Sequence, residues 1–399
     1  MKRLQQTYII TLFLSVFFVA CHSVSDKANA TPNFQLMPVD MGEIKLAYDD
    51  TTSAEWKKIA RRLDSFYQVQ ARAGFNGSVL VGYKGKILYE RFIGYANKSA
   101  GIPLSPDNAV QLASVSKTFT GAAILYLHQN KYLDIDKPVT TYLKSFPYPD
   151  VTPRMLLCHR AGLPDYLHWV PTYRKHDNSP ISNDEVLSLM AKYKPHQDFK
   201  TNTRFKYCNT NYLVLASIIE EVTELRYDSF MTRYIFKPLG MKHTFVYNPA
   251  QGLPATATIS YLGGWVPNPV TFGDGVYGDK GIYSTVEDMY RWDQSFYQNR
   301  ILSNETLEQA YGPCSFEKPG VKNYGLGWRM LCYPDGYKII YHNGWWHGNN
   351  TCFYRFVKDN FTIIVLGNKL SNAIYRQPPV VYNLVKNTDT VQGFEDGAE

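Results

Sequence analysis

Apolar runs of strand length stand at both ends of this 399-residue chain, with helical patterns between them, and that order limits the folds open to it. Near the start, Gly77–Tyr83 and Lys86–Ile93 are two such runs, separated by Lys84-Gly85, a pair suited to a tight hairpin turn. Near the end, four more recur at 324–332, 337–342, 351–357 and 361–366. Tyr333-Pro334-Asp335-Gly336 and Lys358-Asp359-Asn360 supply turns between them. A lone hairpin cannot bury both of its faces, so the economical solution joins the two groups in one antiparallel sheet. Helices then flank the sheet, and a mostly helical insertion, about 116–245, packs beside it. The spacing predicts a further helix over 54–72, with Trp56, Ile59, Leu63, Phe66 and Tyr67 on one stripe. The expected class is α/β in its α+β form.

Hydrophobic residues make up 45% of the chain and charged residues 19%, enough to build a large core and to exclude disorder as the main state. The net charge is +7, about +5 without Lys2 and Arg3, and the basic residues are scattered, so no nucleic-acid footprint is present. The 31 tyrosines are read as packing residues of core and surface rather than as a binding cleft. Lys2 and Arg3 precede an apolar run at 8–20, of export-signal length and short for a bilayer span. Cys21 follows at once in Phe18-Val19-Ala20-Cys21, which resembles a bacterial lipobox, although Phe18 stands where Leu is usual. The rival site is cleavage after Ala30, in Ala28-Asn29-Ala30. Expected segments are therefore a signal over 1–20, a linker over 21–53 behind a lipidated Cys21, one domain over 54–385 and a frayed tail over 386–399. Five cysteines remain beyond Cys21. Their number is odd and their spacing fits no zinc pattern.

A serine hydroxyl is a weak nucleophile until a base adjoins it. Ser-x-x-Lys supplies one where it opens a helix, because residues three apart share a face. The chain has two matches, Ser114-Val115-Ser116-Lys117 and Ser315-Phe316-Glu317-Lys318. Lys117 leads into the helical run Thr118-Phe119-Thr120-Gly121-Ala122-Ala123-Ile124-Leu125, which puts Ser114 at the positive end of a helix dipole. Lys318 runs into Pro319-Gly320, which break a helix, so Ser315 is set aside. Among the Tyr-x-Asn strings, Tyr207-Cys208-Asn209 stands out because a helix over 213–223 follows it directly. His342-Asn343-Gly344, the one His-x-Gly, is expected to close a strand, with Gly344 letting a substrate backbone lie near the edge.

These strings resemble the three motifs of the serine β-lactamases and penicillin-binding proteins, and most of all the branch with Tyr in the middle motif. That branch holds class C β-lactamases, D-alanyl-D-alanine carboxypeptidases, D-aminopeptidases and related esterases. The stretch Leu156-Leu157-Cys158-His159-Arg160-Ala161-Gly162-Leu163-Pro164-Asp165-Tyr166 and the stretch Gly281-Ile282-Tyr283-Ser284-Thr285-Val286-Glu287-Asp288 resemble further family landmarks, in family order from about 75 to 367. The resemblance implies a β-lactamase-like fold and an acyl-enzyme on Ser114, with Lys117 and Tyr207 sharing the proton. Free tyrosine titrates near about 10, so a tyrosine base needs a cation beside it. Asn209 is implied to bind Lys117 and the substrate amide, and the N–H groups of Ser114 and Trp345 to bind the oxyanion. No metal or cofactor is implied.

The third motif begins with His342 where β-lactamases carry Lys. A histidine there is expected to face substrate, to be mostly neutral at pH 7.5 and to gain charge below about pH 6.5. That shifts the expectation from β-lactams towards D-residue peptides and carboxylic esters. Trp345-Trp346 is expected to narrow the cleft, and Cys208 to be a small buried thiol. The function expected is an exported serine hydrolase acting on a small-molecule or peptide substrate. Its place would be the bacterial cell envelope, lipid-anchored, facing the periplasm or on the outer membrane. The alternatives are a true β-lactamase and a non-catalytic penicillin-binding sensor that acylates and stalls.

Overall fold

The two ends of the chain do meet in one sheet. The computed structural model describes residues 42–388 apart from 51 and 176, so the expectations for the signal, Cys21 and 389–399 lie outside the described residues. The sheet has seven strands: β1 (Gly77–Tyr83), β2 (Lys86–Ile93), β3 (Lys322–Tyr324), β4 (Arg329–Cys332), β5 (Lys338–Trp346), β6 (Asn349–Phe356) and β7 (Phe361–Gly367). They lie in the order β2-β1-β7-β6-β5-β4-β3, all antiparallel. The seam between the two groups is the β1–β7 pair, with Gly77 opposite Gly367 and Tyr83 opposite Phe361. Lys84 and Gly85 both have positive φ (49° and 80°), the backbone of a two-residue turn matched to strand twist.

Period-two alternation divides the sheet between two cores. Val79, Val81, Tyr354, Ile363 and Val365 face one layer, which holds Leu63 and Tyr67 of α1 (Ala54–Arg72) and Val381 of α5 (Gln377–Lys386). Leu80, Ile340, Phe353, Ile364 and Leu366 face the other, built on α2 (Ser116–Gln129), α3 (Thr210–Thr223) and α4 (Val286–Tyr297). From Ser116 to Leu127 α2 is buried on every side, which suits a helix packed between the sheet and the helical insertion. No described helix is long and apolar enough to cross a membrane.

Three boundaries differ from expectation. The run at 324–332 is two strands, because the chain turns at Gly327 (φ 95°) between β3 and β4. The strand at 337–342 extends to Trp346, so His342-Asn343-Gly344 lies inside β5 rather than at its close. The described part of the linker is docked: Ile44 is buried in the core, and residues 47–49 bond to Ile87 through Ile87 N–H to Ala47 O (2.7 Å) and Asp49 N–H to Ile87 O (2.9 Å). An edge strand with open backbone groups accepts such a segment, whatever its own polarity.

Candidate active site

Ser114 sits in a single 3₁₀ turn, Ala113–Val115, that feeds α2. Ala113 has φ 49°, an uncommon backbone for a residue with a Cβ, and the turn leaves Ser114 partly exposed among buried neighbours. One helical turn on, the Lys117 side chain is fully buried and its ammonium uses all three donors. It bonds Ser114 Oγ at 3.0 Å, Asn209 Oδ1 at 2.9 Å and the Asp279 carbonyl at 2.8 Å. The same Nζ lies 4.9 Å from the centre of the Tyr207 ring. A small three-stranded sheet braces the turn, through Leu112 N–H to Ile282 O (2.8 Å), and Ser116 Oγ accepts from Ile282 N–H (3.2 Å).

The loop carrying Tyr207 and Asn209 is fixed by the 156–166 stretch. His159 is fully buried, and its Nδ1 accepts from Cys208 N–H (3.2 Å) and lies 3.1 Å from Asn211 Nδ2. Its ring packs 4.4 Å from that of Tyr207. Burial first, then the charges of Lys117 and Arg329, hold its proton affinity well below that of free histidine, so it serves as a neutral acceptor. Asp165 accepts from both Asn209 N–H (2.8 Å) and Asn209 Nδ2 (3.0 Å), which turns Asn209 Oδ1 towards Lys117. Cys208 is buried, its thiol donating to Leu163 O at 3.2 Å. In the other landmark, Thr285 caps α4 by accepting from Asp288 N–H, and the Asp288 carboxylate holds His243 N–H and Thr244.

On the sheet side, Gly344 is where β5 meets the nucleophile turn. A Cβ there would lie 2.2 Å from Thr351 Oγ1 and 2.3 Å from Leu112 O, so glycine serves the close packing of strand on turn. Thr351 Oγ1 donates to that same carbonyl (2.7 Å), and the Tyr375 hydroxyl donates to Gly344 O (2.8 Å). Beyond it, Trp345 is 53% exposed, while Trp346 is anchored by Nε1 to Asp274 (2.7 Å). His347 bonds the same Asp274 at 3.0 Å.

Ser114, Tyr207, Asn209, Gly344 and Trp345 line one cavity of about 320 Å³, and Lys117 lies beneath it. His342 is a correction. It is fully buried behind Tyr207 (rings 6.2 Å apart) and is absent from the cavity wall. Nδ1 lies 2.7 Å from the Asn343 carbonyl, which can only accept, so Nε2 is left to accept from the Tyr324 hydroxyl at 3.1 Å. Burial, then Arg329 and Lys117, push its proton affinity well below the free value, so it does not charge below pH 6.5 as expected from sequence. The cation on that wall is Arg329 of β4, opposite Tyr341, with its guanidinium 5.0 Å from the Tyr207 ring centre. Sequence reasoning missed Arg329, Asp279 and Lys280, which belong to no spaced motif, and gave no role to Asp165 at the end of the 156–166 landmark. Ser315 lies in an exposed loop, bonded to Glu317.

Residues 60–379 match the family model described as Beta-lactamase. Penicillin-binding protein 4* of Bacillus subtilis (strain 168) is 33% identical over 320 residues, 76% of this chain and 70% of that one. A D-aminopeptidase of Brucella canis is 26% identical over 306 residues, 75% of this chain and 57% of that one. Among solved structures, the penicillin binding protein from Bacillus halodurans has a TM-score of 0.69 at 22% identity, covering 80% of this chain and 97% of that one. The D-amino acid amidase from Ochrobactrum anthropi SV3, complexed with D-phenylalanine, has a TM-score of 0.68 at 21% identity, over 84% and 99%. At such identities the structural likeness speaks for the fold.

Proposed function

From the premise that this chain belongs to the beta-lactamase family, we propose that it is an exported serine hydrolase with Ser114 as nucleophile. The observation that carries the reading is the Lys117 ammonium held 3.0 Å from Ser114 Oγ, beside Tyr207, beneath a cavity of substrate size. Ser114 Oγ attacks a carbonyl carbon and its proton passes to the Tyr207 phenolate, which the Lys117 ammonium stabilises. The N–H groups of Ser114 and Trp345 receive the oxyanion, where one donor contributes about 3–4 kcal/mol. Collapse of the tetrahedral adduct breaks the amide or ester bond, and the leaving group takes the proton. Tyr207 then activates water against the acyl-enzyme.

Arg329 supports a substrate that carries a carboxylate near the scissile bond, since a guanidinium in a cavity wall pairs well with that group. A peptide with a D-residue fits, in keeping with the names of the D-aminopeptidase and penicillin-binding relatives. A β-lactam presents the same carboxylate and is the second reading, so the preference against β-lactams that rested on His342 no longer stands. The test is a panel of D-peptides, short p-nitrophenyl esters and nitrocefin, on wild type and Arg329→Gln. Wild type should turn over D-peptides, and the variant should lose about 10- to 100-fold in kcat/KM on carboxylate-bearing substrates, as for a charged hydrogen bond. The neutral ester should change little. Efficient nitrocefin turnover with inert D-peptides would promote the β-lactamase, and a burst without steady state would promote the sensor.

For location, the reading is a lipid anchor at Cys21 in the cell envelope, supported by the basic start and the apolar run against that cysteine. Palmitate incorporation that Cys21→Ser abolishes is expected. A mature N-terminus at Thr31 would end the anchor.

A further inference from the structure

Lys117 has two acceptors besides Ser114, and each is held by a neighbouring pair of residues from a distant part of the chain. The first pair is Asp165-Tyr166, whose Asp165 carboxylate grips Asn209 by its N–H and its side-chain amide. The second is Asp279-Lys280, whose Asp279 carbonyl accepts from Lys117 at 2.8 Å. The two pairs also interlock. Asp279 Oδ2 accepts from the Tyr166 hydroxyl at 3.1 Å and from Lys280 Nζ at 3.1 Å, and Lys280 in turn bonds the Tyr166 hydroxyl. Asp279 and Lys280 are 1% and 3% exposed, yet both line the cavity, and Lys280 Nζ lies 4.5 Å from the Trp346 ring centre.

A buried lysine costs free energy unless it is paired, so its presence beside the reacting atoms calls for a role. No step of the proposed reaction uses Lys280 directly. Its two hydrogen bonds go to Asp279 and Tyr166, and the Trp346 ring adjoins the ammonium. With two of its three donors committed to Asp279 and Tyr166, it is placed as a clamp. Burial weakens its hold on the proton, and the Asp279 charge opposes that effect.

We propose that Lys280 is a positioning residue: it clamps the Asp279 side chain against Tyr166 and so fixes the backbone carbonyl that aims the Lys117 ammonium at Ser114. A lysine has four rotatable bonds, and its Nζ goes where its acceptors are. With the Asp279 carbonyl free to move, Nζ drifts from Ser114, and a misplacement of about 1 Å can cost about 10²-fold in rate. The proposal deepens the reading of Ser114 as nucleophile and rests on it.

The test compares wild type, Lys280→Met and Tyr166→Phe. The readouts are the rate of fluorophosphonate labelling of Ser114, kcat and KM on a neutral p-nitrophenyl ester and on a D-residue peptide, and the thermal midpoint. Lys280→Met should slow labelling by about 10²-fold and lower kcat on both substrates by a similar factor, with KM nearly unchanged. Tyr166→Phe, which keeps the ring and deletes one hydroxyl, should move labelling and kcat the same way by a smaller factor. It decides the matter if Lys280→Met does not fold. A KM increase confined to the carboxylate-bearing substrate would make Lys280 a substrate ligand and overturn the proposal. So would folded variants that label at the wild-type rate with only a lowered midpoint. Wild type that does not label at Ser114 sinks the nucleophile reading and this proposal with it, whereas normal labelling by both variants sinks this proposal alone.

Discussion

The cavity has a helix wall and a strand wall, and the two hold their chemistry in different ways. On the helix wall, Ser114 and Lys117 are three residues apart on one turn, and a lysine with every donor engaged joins them. On the strand wall, the motif His342-Asn343-Gly344 supports the site from behind. His342 backs Tyr207, Gly344 admits the nucleophile turn, and the cation comes from Arg329 on the next strand. Local spacing thus states the geometry of the first wall, whereas cross-strand pairing creates that of the second.

If the helix wall is one device, breaking it anywhere should have the largest effect. Lys117→Ala and Tyr207→Phe should each lower kcat by about 10² to 10⁴, the range for losing a general base. The double variant should be hardly slower than the worse single one, because groups that act as a unit are non-additive. Steady-state kinetics on an activated ester checks this, and losses that multiply would separate the two residues.

The same contrast explains what was legible in the sequence. The 54–72 helix, the hairpin and the closure of both ends into one sheet follow from periods of 3.6 and two and from turn residues, which act locally. Ser114, Lys117, Tyr207 and Asn209 were readable because each sits in a spaced string beside a helix start. The direction of His342 was not. Alternation puts it on the face of Ile340 and Gly344, and only the packing of Tyr207 and Tyr324 over that face shows it to be sealed from the cavity. Arg329 looked like one more strand residue until its strand was paired with β5. Asp165 and Asp279 act through hydrogen bonds across 44 and 162 residues, a distance at which no spacing rule operates.

Gly344 offers the next sharpest test of the strand wall. Gly344→Ala places a methyl group against Thr351 and the Leu112 carbonyl, and overpacking of that kind costs about 1–3 kcal/mol. Urea unfolding should show that loss, and labelling of Ser114 should slow because the turn is displaced. A variant as stable and reactive as wild type would mean that the strand and the turn are not tightly joined.

The last test is the pH dependence of stability from the two sealed imidazoles. Both His159 and His342 have folded proton affinities well below the free value of about 6.5. Above that pH both states are neutral there and the contribution is complete. As pH falls below it, the unfolded chain takes up protons that the folded one refuses, so stability is lost at about 1.4 kcal/mol per pH unit for each imidazole. Urea titrations at pH 7.5 and 5.0 should show this, and His342→Asn should flatten the slope by one imidazole's share. An unchanged slope would mean that His342 charges in the folded protein and reaches solvent.

The central claim is that Ser114, aimed by Lys117, is the nucleophile of this cavity. Labelling the full-length protein with a fluorophosphonate and mapping the modified peptide by mass spectrometry tests it most directly. One modified residue, Ser114, is predicted, with labelling lost in Ser114→Ala and strongly slowed in Lys117→Ala. A label on Ser315 or any other serine, or one that survives Ser114→Ala, would contradict the account.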